Sequence, residues 1–457
     1  MKNFKRFLSL ALAVLMTLSY APTIAYGIEL EQATDALIEY IEPVEEGELS
    51  TEPIESPEEG EILEEGGEAE LLAEVTETTL DGEGTAESPY LINDLDDLKW
   101  FRDDVNSGKT YAGKYVKLTE DINLTGEVWT PIGTSNYDKT PTTEGVKMFA
   151  GNFDGGDHTI TGLSSVGYVP ASSETGSTEY SFGLFGYVYG ANISNVKLAD
   201  VNIECGTRTD SEGNEVYGSG VAALVGYYFP ANEKATVIEN CHVLSGTVAA
   251  SNNMGGLIGH MDSQLSQPKV DITIRDCSNA AAVTTEAREA GGILGLMNSA
   301  REEGNYLVTM RGTVTFENCV NTGAITSLGG GAPSAGGILG RDHNQAAGQR
   351  LKIVFDGCEN SGTITVTANG ETHAAGIGAG YYSAGAWLIA KDCENTGDVV
   401  VNGTGDVYAG GLISYGGVVE LIDSTSTGTV TAASATPMSA AHRVSFSLRK
   451  WIILPIL

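Results

Sequence analysis

From residue 183 onward the apolar positions fall into short bursts separated by Gly, Asn, Asp and Thr, and the bursts return at a nearly constant interval. One burst reads Gly-Leu-Phe-Gly at 183–186, Ala-Leu-Val-Gly at 223–226, Gly-Leu-Ile-Gly at 256–259 and Gly-Ile-Leu-Gly at 292–295 and 337–340. It ends as Gly-Ile-Gly-Ala at 376–379 and Gly-Leu-Ile-Ser at 411–414, so successive starts are 40, 33, 36, 45, 39 and 35 residues apart. A second phrase follows, clearest as Glu-Asn-Cys-Val-Asn-Thr-Gly-Ala-Ile-Thr at 317–326. It returns as Asp-Gly-Cys-Glu-Asn-Ser-Gly-Thr-Ile-Thr at 356–365 and Lys-Asp-Cys-Glu-Asn-Thr-Gly-Asp-Val-Val at 391–400. A period of a few tens of residues predicts a solenoid, in which each unit buries its apolar face only against its neighbours.

Within a unit the pattern predicts three short strands, for example Gly336–Leu339, Leu351–Phe355 and Thr363–Thr367, each rich in Ile, Val, Leu and Thr and bounded by turn residues. That content fits one turn of a parallel β-helix. The Leu-x-x-Leu-x-Leu pattern of leucine-rich repeats is absent, and the glycine and β-branched content excludes helical repeats. Residues 150–432 are expected to form about seven coils, a stack of roughly 30–35 Å at about 4.8 Å per coil. Asn321, Asn360 and Asn395 are expected to stack at one turn, where their amides can bond the backbone or each other and Asn tolerates the left-handed conformation.

The pattern changes at both ends. Over 93–106, apolar residues spaced by three and four predict a helix, with Asp94 at its start and Gly108 at its end; we expect it to cap the open first coil. Strand-like runs follow at Tyr115–Leu118 and Asp121–Leu124. Beyond Ala433 the repeat grammar stops. Residues 442–457 turn basic and apolar, which fits either a cap on the last coil or a frameshifted or truncated end of a longer surface protein.

Composition adds a compartment. Residues 1–25 carry Lys2, Lys5 and Arg6, an apolar run from Phe7 to Leu18, and Thr23-Ile24-Ala25, the layout of a secretory signal peptide. No later stretch is long and apolar enough to span a membrane, so the mature chain is expected to be extracellular, secreted or on the cell surface. From Ile28 to Leu80 there are 19 Asp or Glu and no Lys or Arg, a self-repelling spacer. The formal net charge of −36 argues against nucleic acid as a partner. Cys241, Cys277, Cys319, Cys358 and Cys393 share one slot in successive units, and Cys205 lies outside it. Stacked side chains that point the same way suit a disulfide poorly, so these are expected to be buried free thiols.

A longer motif carries a family resemblance. Phe149-Ala150-Gly151-Asn152-Phe153-Asp154-Gly155-Gly156-Asp157-His158-Thr159-Ile160, then Leu163 and Gly183-Leu184-Phe185-Gly186, resembles the GLUG-motif β-helices of Gram-positive surface proteins. The lead-ins Gly84-Thr85 to Pro89-Tyr90-Leu91-Ile92 and Trp129-Thr130-Pro131-Ile132-Gly133 resemble that group too. Asp157 departs from the glycine common there. The resemblance implies an exported, adhesin-like, right-handed parallel β-helix; related domains sit beside the zinc peptidase unit of immunoglobulin A1 proteases. The fold class is thus all-β, a parallel β-helix with a short N-terminal capping helix. Its expected parts are a signal peptide (1–25), an acidic linker (26–83), cap and first coil (84–165), GLUG-type repeats (166–432) and an atypical tail (433–457).

The chemistry is sparse. None of the six histidines begins His-Glu-x-x-His, so the zinc peptidase motif is missing, and no cofactor or metal set is expected. Gly108-Lys109-Thr110 mimics only the end of a phosphate loop. Asp154, Asp157 and His158 form a tight acidic–His cluster, read as a structural turn before a catalytic one, and Arg341-Asp342-His343 reads as a solvated loop. The column just after the glycine phrase is Tyr187, Tyr227, His260, Leu296, Arg341, Gly380 and Tyr415, with Tyr228 and Tyr381 one place on. Rings exposed along one corner can stack on sugars or anchor a protein, though the same residues can simply cover the corner. We take Tyr187, Tyr227, His260, Arg341 and Tyr415 as the candidate ligand-binding residues. The expected function is non-catalytic binding of an extracellular glycan or host matrix protein, against a polysaccharide lyase or hydrolase, or a passive stalk, on the same fold.

Overall fold

The computed structural model describes residues 80–134, 146–171, 179–263, 268–303, 306–330, 332–344, 351–380, 387–415, 418–434 and 451–453. The predicted signal peptide, Tyr381 and most of the acidic linker and of the tail lie outside them.

Nearly every strand pairs in parallel with the strand one unit away. A coil passes through five sheets, not three. In the unit after Gly256 these are Lys269–Arg275 (sheet I), Ser278–Asn279 (sheet II), Ala282–Thr285 (sheet III), Glu289–Gly291 (sheet IV) and Leu294–Glu303 (sheet V). The chain is therefore a parallel β-helix. Sheet I has eight strands between 150 and 432, namely Asn152–Asp154, Asn192–Ser194, Ala235–Glu239, Lys269–Arg275, Arg311–Glu317, Leu351–Asp356, Trp387–Lys391 and Val418–Ile422, one more than expected. Val314 and Phe316 point inward, as do Ile353 and Phe355 in register above them, and Phe316 and Phe355 stack at 5.2 Å. The period of two puts one face of every strand in a shared core.

The extra strands are hidden in the signature phrase. The predicted strand Gly336–Leu339 is a corner: one strand ends at Gly336 and the next starts at Leu339. The phrase Gly291-Gly292-Ile293-Leu294-Gly295 has a steric explanation. A Cβ on Gly291 would lie 2.0 Å from the Leu294 carbonyl oxygen across the corner. On Gly292 it would lie 2.0 Å from Gly337 O and 2.5 Å from the Asn321 amide, and on Gly295 2.2 Å from Met254 O. No side chain fits any of these gaps.

The amide that Gly292 faces belongs to an internal ladder. Asn279 Nδ2 donates to Asn321 Oδ1 (2.9 Å), Asn321 to Asn360 (2.8 Å) and Asn360 to Asn395 (2.7 Å). Each Nδ2 also donates to a carbonyl two residues on, such as Asn360 to Gly362 O at 2.9 Å. Asn321, Asn360 and Asn395 therefore sit inside sheet II and not at a left-handed turn. The left-handed position is the residue before the cysteine slot: Asn240 (φ 50°), Asp276 (53°), Asn318 (50°), Gly357 (65°) and Asp392 (52°). The cysteines are buried and unbridged. The Cys319 and Cys358 thiols donate to Ile274 O and Phe316 O, both at 3.3 Å.

Helix α1 (Leu95–Asn106) covers the N-terminal end. Asp94 Oδ1 accepts from Asp97 N–H and Asp97 Oδ2 from Asn93 N–H, both at 2.9 Å, a reciprocal cap. Leu98, Phe101 and Val105 are buried, and Phe101 meets Phe149 edge-on at 5.6 Å. Residues assigned to the linker take part in the fold, since Leu80 is buried and Asp81 bridges Leu91. At the other end Trp451–Ile453 pairs antiparallel with Val418–Ile422.

Candidate functional site

The predicted column exists in register. Tyr187, Tyr227, His260, Leu296 and Arg341 are successive partners in sheet V. It is not an exposed row. Tyr227 is 3% exposed and His260 4%, Tyr187 and Arg341 are half-buried, and only Tyr415, at 36%, faces solvent. Tyr228 points the other way, into the core, where its hydroxyl donates to Ala191 O at 3.1 Å.

The corner geometry explains the burial. Sheets IV and V meet at the glycine phrase in a re-entrant angle, so their outer faces look at each other. The facing row on sheet IV is Glu289, Ser334, His373 and Tyr408 in register. Ser334 Oγ reaches across to donate to Gly340 O (2.6 Å), and Arg341 Nη1 pairs with Glu289 Oε1 at 3.1 Å. Burial holds the Glu289 carboxyl above the usual carboxylate range, against the pull of the Arg341 guanidinium. At the far coil His373 stacks on Tyr408 at 4.7 Å, and Tyr415 meets both edge-on.

Two clusters fill the middle of this angle. Tyr187, Tyr227 and Phe229 stack, Tyr227 on Phe229 at 4.9 Å, and Val146 and Met148 close over them. Beside them Asn298 Nδ2 donates to His260 Nε2 (2.9 Å) and Asp262 Oδ2 (3.2 Å), and His343 Nδ1 lies 3.3 Å from Asn298 Oδ1. Arg341-Asp342-His343 is thus part of a strand and not a solvated loop. Asp342 occupies the inward column of Met261 and Met297, is fully buried, and has its carboxyl pushed up to about 7 by desolvation. His343 is pushed down to about 4 by burial, helped by the Arg341 and Arg288 charges. This angle is a second packing zone whose side chains are spent largely on one another.

The acidic–His cluster does not converge. Asp154 Oδ1 accepts from Gly156 N–H (2.9 Å) and Asn195 Nδ2 (2.8 Å). Asp157 holds φ 62°, a conformation glycine enters freely, and its Oδ1 accepts from Asn240 Nδ2 at 3.0 Å. His158 turns instead to Asp121, with Nδ1 3.3 Å from Oδ1. These are the local hydrogen bonds expected of a structural turn. No group of three or more His, Cys, Asp or Glu able to hold a metal occurs among the described residues.

An open groove of about 710 Å³ lies elsewhere, on the outer face of sheet I over the first coils. Tyr115, Lys117, Asn152, Asp154, Asn192 and Glu239 line it, with Glu87 and Pro89 of the lead-in on one side. Tyr115 is 39% exposed. Lys117 Nζ is 3.3 Å from Asp154 Oδ2, and Asn192 Nδ2 donates to Asn152 Oδ1 at 2.8 Å. Sequence reasoning missed this groove. Its signal was present in the alternation of Asn-Phe-Asp (152–154) and Asn-Ile-Ser (192–194), whose polar positions stack outward once the 40-residue register is applied.

No family model matches the sequence, and no curated protein matches it. Among solved structures, the chain is similar to one from Bacteroides ovatus at 1.30 Å resolution, provisionally named an immunoglobulin A1 protease. Identity is 19%, covering 78% of this chain and 86% of that one, with a TM-score of 0.38.

Proposed function

We propose that the chain is an exported, surface-displayed β-helix that binds an extracellular glycan or matrix protein through the outer face of sheet I, without turnover. One observation carries this reading: two of the exposed aromatic side chains stand toward opposite ends of that face, Tyr115 (39%) and Trp387 (45%). Between them runs a half-buried strip of Val237, Thr273, Thr315, Val354 and Ile389 in successive coils. Rings on a rigid flat sheet bind at little ordering cost, and a row compounds weak contacts. The signal-peptide pattern and the resemblance to GLUG-motif surface proteins support the location. The predicted column contributes mainly through Tyr415, since Tyr227 and His260 are packed inside the corner.

The test is a glycan and matrix-protein array probed with wild type and a Tyr115→Ala, Trp387→Ala double variant. We expect at least one ligand bound by wild type and lost by the variant, while thermal stability is kept. Equal binding by both proteins would sink the face, and no binding by wild type would leave the stalk. The enzyme alternative draws on two carboxylates, Asp154 and Glu239, in one groove; release of reducing sugar from a bound polysaccharide would establish it.

A further inference from the structure

We infer that the groove over the first coils is a subsite for a neutral oligosaccharide; the inference rests on the binding face proposed above and gives it a location and a ligand class. The floor is made of side chains standing on strands already paired on both sides, from Tyr115–Leu118 through Asn152–Asp154 and Asn192–Ser194 to Ala235–Glu239. Their backbone N–H and C=O groups are spent in the ladder, so a peptide cannot add there as a further strand. The groove crosses four strands, three spacings or about 14 Å. That suits an extended ligand lying across the coils.

The lining matches a hydroxyl-rich ligand. Asn152 Nδ2 uses one hydrogen on Lys114 O (3.1 Å), and Asn192 Nδ2 uses one on Asn152 Oδ1 (2.8 Å). An amide nitrogen carries two hydrogens, so each keeps one for a ligand. Asp154 and Glu239 accept hydroxyl hydrogens, and Lys117 donates. Tyr115, 39% exposed, lines the groove beside these polar groups, and an aromatic ring there can stack on a sugar. Charge then selects among sugars. Three carboxylates (Glu87, Asp154, Glu239) line the groove, Asp154 paired with Lys117 and Glu239 with Arg275, which leaves a net negative lining on a chain of net charge −36. Uronate and sulfated polymers are repelled by that field.

The experiment is ligand-observed NMR and calorimetry on the exported full chain. The probes are a chitin pentasaccharide and a mannopentaose as neutral ligands, with a galacturonate hexamer and a heparin hexasaccharide as anionic ones. We expect a neutral probe to bind with a Kd of roughly 0.1–1 mM, no anionic binding at low salt, and about tenfold weaker neutral binding in Tyr115→Ala. Asn192→Ala is expected to weaken it as well, and Leu328→Ala, 43% exposed on sheet III and away from this face, to leave it unchanged. Anionic probes bound as tightly as neutral ones, or Tyr115→Ala binding like wild type, overturns the inference. Loss of all binding in Trp387→Ala but not in Tyr115→Ala overturns the groove while keeping the face. If no array ligand binds wild type at all, the face falls and the groove with it.

Discussion

Asp342 shows how much one side chain can cost a coil. It stands in a column otherwise filled by Tyr228, Met261 and Met297, and its Oδ2 has no hydrogen-bond partner. Its carboxyl is raised from 3.8 to about 7 by desolvation. The folded chain therefore holds a proton that the unfolded chain releases above pH 3.8. The stability tied to this group is full below pH 3.8 and is lost as pH rises toward 7, by at most about 4 kcal/mol at 1.36 kcal/mol per unit. Asp342→Asn removes the titration. We expect the variant to gain stability relative to wild type as pH goes from 5 to 8. Denaturant midpoints at both pH values measure it, and a gap that does not widen with pH refutes it. His343 and His373, each pushed down to about 4 by burial, act in the opposite direction in both proteins and cancel in the difference.

At the scale of elements, stacking turns repeated residues into continuous columns with internal bonding. The amide ladder from Asn279 to Asn395 fills both hydrogens of each Nδ2 from Asn279 to Asn360, and it ends on Ser426 Oγ at 3.2 Å. Breaking such a chain leaves two buried groups unpaired, at about 1–3 kcal/mol each. The cysteine column runs beside it, each thiol donating to a carbonyl of the neighbouring coil, and Ser424 continues the slot with the same bond to Ala390 O at 3.2 Å. Burial raises the Cys319 thiol and holds those of Cys277 and Cys358 well above their ordinary range, so almost no thiolate forms at neutral pH. We expect native protein to react slowly with a thiol reagent and all six cysteines to react fast in denaturant. A fast native fraction, or fewer than six thiols by mass spectrometry after denaturation, contradicts this.

For the whole molecule, each coil packs mainly against the coils next to it, so a lesion should stay local. Phe101 of helix α1 packs against Phe149 and Phe153 at the first coils. Phe101→Ala removes about 3–5 kcal/mol of packing there. We expect faster amide exchange in Tyr115–Leu118 and Asn152–Asp154 and no change in Ile364–Asn369, five coils beyond Asn152–Asp154. Hydrogen exchange read by mass spectrometry checks it; uniform acceleration along the chain would mean that the stack unfolds as one unit. The same independence of coils lets the N-terminal groove and the distant Trp387 be varied separately.

The sequence by itself determined the period, the parallel stacking, the cap helix with Asp94 at its start, and the column of unbridged cysteines. These follow from local patterning and from a repeat that leaves one way to bury each apolar face. It also determined that Tyr187, Tyr227, His260, Leu296 and Arg341 share a column, since equal spacing after a common phrase sets register. Only the tertiary structure decided that the phrase is a corner and not a strand. The deciding contacts, such as Gly292 against the Asn321 amide, join residues one coil apart. The re-entrant angle between sheets IV and V turned the predicted column inward, while the outward positions of sheet I stayed open to solvent and line the groove. Alternation along a strand says which side chains share a face. It does not say whether that face looks out on water or onto another sheet, because the angle at each corner is set by packing between coils.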